Sequence, residues 1–176
     1  DTVCIDETML EFYPKNPYAI SKLMAYWIIR YYREYYNLYL CNGIIFNAES
    51  PRRNPKFVVN KIAQTARKMI TDPSLQLTVG DLEAKRDWIH AYDVAMAAWV
   101  TLQQDNPDDY VISLNEYHTV RDTIHASFLI LGINIEWRIN NSNDVPTEVG
   151  IEKETGRVLV VIDRGLFRSY EAKTVP

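Results

Sequence analysis

The sequence has 176 residues, a formal net charge of −4, 47% hydrophobic and 24% charged residues. That is ordinary globular material, enough for one domain or a domain plus part of another. The acid excess excludes a surface that attracts nucleic acid as a whole, and no apolar run approaches the ~20 residues of a membrane span. Cys4 and Cys41 are the two cysteines. They lack ligand spacing, which suits a reducing cytosol and argues against a disulfide scaffold. No signal-peptide pattern is visible. The chain opens at Asp1 without a strand-turn-helix unit and reads as a piece of something longer.

Asn16 is a natural N-cap and Pro17 a natural first helical residue, so a helix is predicted from there to about Tyr36. Segment 38–46 reads as a buried strand and 47–56, with two Pro and adjacent Arg52 and Arg53, as a loop. A helix is expected over 57–70. Short strands follow at 75–79 and 87–90, then a helix at 92–104 and a strand at 110–114. Thr119 and Asp122 have the spacing of a variant capping box for a helix at 119–131. A strand at 134–139 follows, then a polar, mobile loop at 140–156, and a last strand at 158–163. Strands alternating with helices predict an α/β fold.

Tyr18 and Lys22 lie four residues apart, on one face of the first helix. A phenol is a poor base at its ordinary pKa near 10, and a nearby cation favours the phenolate. The pair therefore suits deprotonation of an alcohol while hydride leaves for a nicotinamide. The spacing also fits an exposed Tyr and a solvated Lys on an amphipathic helix. Between Arg52 and Lys68 there is no acid, and Arg52, Arg53, Lys56, Lys61, Arg67 and Lys68 are all cationic. Such a window in an acidic chain suggests an anion-facing surface, with Arg67 and Lys68 reading as a solvated helix face. Arg86 suits pyrophosphate oxygens, or a structural pair with Asp87. His90, His118 and His125 have no ligand spacing and read as structural or surface residues.

Pro17-Tyr18-Ala19-Ile20-Ser21-Lys22 followed by an aromatic helix resembles the extended short-chain dehydrogenase/reductase family. The resemblance continues through the stretch Asn42–Arg53, which contains Asn47-Ala48-Glu49-Ser50-Pro51-Arg52-Arg53. It runs on through Lys85-Arg86-Asp87-Trp88-Ile89-His90-Ala91-Tyr92-Asp93, Asp108-Asp109-Tyr110-Val111-Ile112 and Phe167-Arg168-Ser169-Tyr170-Glu171. In that order the segments look like those of the GDP-mannose 4,6-dehydratases. The resemblance implies a partial NAD(P)-binding Rossmann-like fold with a smaller α/β substrate domain. Residues 1–46 would be the C-terminal part of the cofactor domain. Residues 47–176 would be mostly the nucleotide-sugar domain, with some segments returning to the Rossmann sheet.

The implied activity is conversion of GDP-mannose to GDP-4-keto-6-deoxymannose with recycled NADP, in GDP-fucose and deoxyhexose metabolism. Tyr18 would be the base, and Lys22 would bind the ribose and tune the Tyr. Arg53 would contact the NADP phosphate region. Asn47 and Lys61 would contact the sugar nucleotide, Arg86 the pyrophosphate, and Arg168 and Glu171 the phosphate and nucleoside. For the last two an exposed pair near the terminus is the other reading. The resemblance also implies a cytoplasmic dimer or tetramer with the Arg52–Arg53 loop near a subunit interface. The alternatives are another nucleotide-sugar epimerase or dehydratase, or a catalytically incomplete nucleotide-binding fragment.

Three departures bear on activity. The Gly-rich dinucleotide turn is absent, as is the family's Ser/Thr-x-Glu stretch; both are expected upstream of Asp1. Ala48 stands where a His is expected and Ile89 where a Gly is expected. Residues 1–176 alone are therefore expected to lack dehydratase activity.

Overall fold

The computed structural model describes residues 6–8, 12–140 and 147–167. In chain order its elements are helix α1 (Pro17–Tyr36), strands β1 (Asn42–Ile45) and β2 (Asn47–Glu49), and helix α2 (Val58–Met69). Next come strands β3 (Leu77–Val79), β4 (Lys85–Arg86) and β5 (Trp88–His90), helix α3 (Ala91–Thr101), and strands β6 (Asp109–Ile112) and β7 (His118–Thr119). Helix α4 (Val120–Ile130), strands β8 (Ile135–Asn140), β9 (Thr147–Glu152) and β10 (Val158–Ile162) and a 3-10 turn at Arg164–Leu166 complete the order. Two compact units result: of the described residues, those up to 48 and 87–116 build one, and 49–86 with those from 117 on build the other.

In the first unit α1 starts as its sequence dictates. Asn16 is extended, its side chain accepts from the Ala19 amide at 2.8 Å, and Pro17 occupies the first turn. The helix stops at Asn37, whose φ of 53° is the left-handed conformation that ends helices. β1 and β6 pair in parallel, from Asn42 opposite Asp109 to Ile45 opposite Ile112. α3 is capped by His90, whose Nδ1 accepts from the Tyr92 amide at 3.1 Å.

The second unit is a four-stranded sheet in the order β3-β10-β9-β8, parallel between β3 and β10 and antiparallel elsewhere. Ile62, Ala66 and Met69 recur at helical spacing on the buried face of α2, and Val120, Ile124 and Phe128 on that of α4. With Leu77, Leu159 and Val160 they form the core. Each large side chain there contributes about 1.5–3 kcal/mol by leaving water. The capping box at Thr119 and Asp122 forms as predicted, closed in both directions.

Of the stretch 140–156, expected as a polar loop, residues 141–146 lie outside the described residues, and the described part is not loop throughout. Residues 147–152 form β9, in which Val149 and Ile151 are buried. The flanking glutamates stay satisfied at the sheet: Glu148 takes two hydrogen bonds from Arg121, and Glu152 pairs with Arg157. A tight turn closes β9 onto β10, with Gly156 at φ 75° and its amide bonded to the Glu152 carbonyl. The expected loop 47–56 likewise begins with a strand, β2, paired with β5. The expected strand 38–46 is shorter, Asn42–Ile45, and ahead of it the Leu40 carbonyl is taken by Arg33 instead of a neighbouring strand.

Candidate active site

Tyr18 sits in the first turn of α1 and is 70% exposed. Lys22, one turn on, places Nζ 5.6 Å from the Tyr18 ring centroid. The Ser21 hydroxyl donates to the Tyr18 carbonyl at 2.7 Å and tightens the same turn. The phenol and the ammonium thus share an accessible face, with the cation over the ring.

The rotation of α1 is set deeper in the first unit. The Asp109 carboxylate is buried and accepts from the Tyr26 hydroxyl at 2.8 Å, Arg33 Nη2 at 2.8 Å and Asn42 Nδ2 at 2.9 Å. Arg30 Nη1 in turn donates to the Tyr26 oxygen at 3.2 Å. Burial alone would raise the Asp109 pKa. The hydrogen bonds from Asn42, Arg33 and Tyr26, with the Arg33 charge, outweigh it and hold the carboxyl below the usual carboxylate range. Desolvation pushes the Tyr26 phenol up. Sequence reading did not single out Asp109; the signal available was an acid at the head of an apolar strand.

Asn47 and Ala48 open β2 and are half-buried. Ile89, at the centre of β5, is 3% exposed and belongs to the core. The Asp87 carboxylate is buried and accepts from the amides of Leu114 and Asn115 at 2.9 and 2.8 Å. It anchors a loop in which Asn115 takes a left-handed φ of 58°.

In the second unit Arg53 lies flat against Phe57, its guanidinium carbon 3.9 Å from the ring centroid, with Nε 3.8 Å from Glu49 Oε1. Its amide bonds to the Ser50 carbonyl, and its own carbonyl accepts from Asn60 Nδ2. Burial pushes the Glu49 carboxyl up, and Arg53 pulls the other way. Lys61 is half-buried on α2, next to Asn60. Arg67 and Lys68 are exposed at the end of that helix. Arg86 lies half-buried on β4 and donates to the Lys85 carbonyl. Tyr18, Lys22 and Asn47 therefore belong to the first unit and Arg53, Lys61 and Arg86 to the second. Arg168 and Glu171 lie outside the described residues.

His125 accepts from the indole nitrogen of Trp137 at 2.8 Å, and Arg121 covers the same indole at 4.5 Å. Among the described residues no cluster of His, Cys, Asp and Glu has the grouping of a metal site, and no helix is long and apolar enough to cross a membrane.

The profile of the GDP-mannose 4,6 dehydratase family matches residues 1–175. The GDP-mannose 4,6 dehydratase of Homo sapiens is 46% identical over 160 residues, covering 91% of this chain and 42% of the human protein. That of Yersinia enterocolitica is 39% identical over 170 residues, covering 93% of this chain and 46% of the relative. The chain thus spans less than half the length of these curated relatives. Among solved structures, RMD from Pseudomonas aeruginosa complexed with NADPH aligns with a TM-score of 0.71 at 23% identity, over 90% of this chain and 47% of that one. The dTDP-glucose 4,6-dehydratase of Bacillus anthracis in complex with NAD aligns at 0.69 and 22%, over 92% and 44%. These two likenesses show the fold alone: part of a Rossmann-like α/β architecture. On the match along nearly its whole length, the chain belongs to the GDP-mannose 4,6 dehydratase family.

Proposed function

We propose that the protein carrying this chain converts GDP-mannose to GDP-4-keto-6-deoxymannose, a lyase reaction, with Tyr18 as the alcohol base. The observation that carries this reading is the Tyr18–Lys22 pair on one accessible face of α1, inside a family match that spans residues 1–175. Tyr18 Oη takes the proton of the sugar 4-hydroxyl, and the Lys22 ammonium beside it balances the developing phenolate. General bases of this kind contribute about 10²- to 10⁴-fold to a rate.

Two residues suit parts of a phosphorylated nicotinamide dinucleotide, each taken by itself: Lys22, an ammonium one helical turn from the base, would bind a ribose hydroxyl, and Arg53, a planar guanidinium braced on Phe57, a phosphate. When bound, NADP would accept the C4 hydride and give it back at C6 once the C5 proton and the C6 hydroxyl have left as water. Asn47, Lys61, Arg86, Arg168 and Glu171 hold the GDP-sugar, the arginines on its phosphates. Two cysteines without ligand spacing support the reducing cytosol as the protein's compartment.

The 176 residues contain no Gly-x-x-Gly-x-x-Gly turn, so the backbone cradle for a pyrophosphate is not among them. We therefore expect residues 1–176 alone to form no 4-keto product. The test compares GDP-mannose with UDP- and dTDP-glucose as substrates for the protein expressed from its complete reading frame, each with NADP and with NAD. Turnover of GDP-mannose with a lower KM for NADP supports the reading. Preference for a UDP- or dTDP-sugar overturns the substrate, and measurable product from residues 1–176 overturns the claim of inactivity.

A further inference from the structure

Among the described residues α1 buries little of its surface. Of its 20 residues only Tyr26 is buried, while Tyr18, Ile20, Met24, Trp27, Ile28, Tyr31, Tyr32, Tyr35 and Tyr36 are exposed. The one side chain that α1 buries among the described residues is thus one that bonds the Asp109 carboxylate. Tyr26 and Arg33 reach the carboxylate from α1, Asn42 reaches it from β1, and Asp109 itself sits on β6 opposite Asn42. Arg33 also bonds the Leu40 carbonyl at 3.1 Å, and Asn42 Nδ2 the Tyr26 carbonyl at 3.3 Å. One buried side chain thus joins three elements.

Tyr18, Lys22, Tyr26 and Arg30 follow one another at intervals of four, and Arg33 comes three residues later. At about 100° per residue Lys22, Arg33 and Tyr26 lie about 40°, 60° and 80° round from Tyr18, on one broad face of the helix, with Arg30 at its edge, about 120° round. The groups that anchor α1 therefore share that face with the groups proposed to act. A rotation of about 10° at a side-chain radius of ~5–6 Å moves an atom by about 1 Å. A displacement of ~1 Å at a reacting group costs on the order of 10²-fold in rate.

We infer that Asp109 is a positioning residue: its carboxylate sets the rotation and lengthwise register of α1, and through them the aim of Tyr18 and Lys22. The inference rests on the reading of Tyr18 as the base. It differs from a purely structural role in predicting loss of turnover without loss of fold or of substrate affinity.

Two variants test it in the protein expressed from its complete reading frame. Asp109→Glu keeps the charge but moves the carboxylate by one methylene. Tyr26→Phe removes one of the three donors and leaves Arg33 and Asn42 in place. We expect kcat for GDP-mannose to fall about 10- to 100-fold in Asp109→Glu and by a smaller factor in Tyr26→Phe. KM should stay within about twofold, since uniform binding is untouched. A 3-fluorotyrosine at position 18 gives a readout independent of turnover: its ¹⁹F resonance should move in both variants. Unchanged kcat and an unmoved resonance in the folded variants overturn the inference, as does a parallel fall of kcat, substrate affinity and melting temperature. Full activity in Tyr18→Phe instead marks failure of the base assignment, and the ¹⁹F shifts then still decide whether Asp109 aims the helix.

Discussion

Lys22 lies over Tyr18, with its Nζ 5.6 Å from the ring centroid and both side chains on the first two turns of α1. The cation meets the ring because a separation of four residues stacks two side chains on one face. The cap at Asn16 and Pro17 fixes where that face begins. The pair is thus a product of the helix start, not of a long-range contact.

This arrangement predicts that activity and stability separate at position 18. Tyr18→Phe removes one exposed hydroxyl, so stability should change by no more than about 0.5 kcal/mol. Formation of the 4-keto product should fall about 10²- to 10⁴-fold. Both are read on one preparation of the protein expressed from its complete reading frame, by a thermal melt and by product assay. Retained turnover would reject Tyr18 as the base.

Asp109 predicts how the protein responds to acid. Its folded pKa lies below the usual carboxylate value because three hydrogen bonds and the Arg33 charge outweigh desolvation. A group with a depressed folded pKa contributes stability above its unfolded value, about 3.9, and loses it as pH falls through the folded value. The urea midpoint should therefore hold between pH 7 and 5 and drop below about pH 4. Asp109→Asn should cost about 3–5 kcal/mol at pH 7, since Arg33 is left buried without its partner. It should also flatten the acid limb. An acid limb as steep in the variant as in the parent would show that other carboxylates carry it.

Most of the elements are legible in the sequence because their signals are local. Asn16-Pro17 announces α1, Thr119 with Asp122 announces α4, and apolar runs mark β3 and β10. β9 is not legible, since Thr147, Glu148, Gly150 and Glu152 read as loop until Arg121 and Arg157 are seen to neutralise the two glutamates. The same limit hides part of the candidate site. The Tyr18–Lys22 pair is a matter of spacing and can be read directly. The Glu49–Arg53–Phe57 cluster becomes visible only when the turn at Ser50–Arg53 folds the guanidinium back onto the ring. Asp109 finds Tyr26 and Arg33 across more than seventy residues, and no periodicity encodes that meeting.

The capping box gives a prediction confined to one helix end. The Thr119 hydroxyl accepts from the Asp122 amide at 3.0 Å, and the Asp122 carboxylate accepts from the Thr119 amide at 2.9 Å. Thr119→Ala should cost about 1 kcal/mol. The hydrogen bond from the Thr119 hydroxyl, then that from its amide, lowers the Asp122 pKa. The Asp122 contribution is therefore present above about pH 3.9 and lost below it. The gap between variant and parent in urea midpoint should narrow as pH falls below about 4, and a gap that widens there would contradict the box.

Gly150 tests whether β9 is a true core strand. A Cβ added there would stand 3.0 Å from Val160 Cβ, 3.1 Å from Val160 Cγ2 and 3.2 Å from Trp137 Cζ3. Val160 is fully buried and, being β-branched, cannot turn aside easily. Trp137 is held by the His125 hydrogen bond and by Arg121 across its ring. Neither neighbour yields cheaply, so Gly150→Ala should cost about 1–3 kcal/mol by overpacking. Gly156, in the turn that follows, is the natural comparison. It has open space around it, but its φ of 75° strains any side chain. Gly156→Asn should be milder than Gly156→Ala, since Asn tolerates that conformation, whereas Gly150→Asn should be worse than Gly150→Ala. Urea midpoints for the four variants separate crowding from backbone strain. If Gly150→Ala matched the parent within about 0.5 kcal/mol, β9 would not pack against Val160 and Trp137 as described.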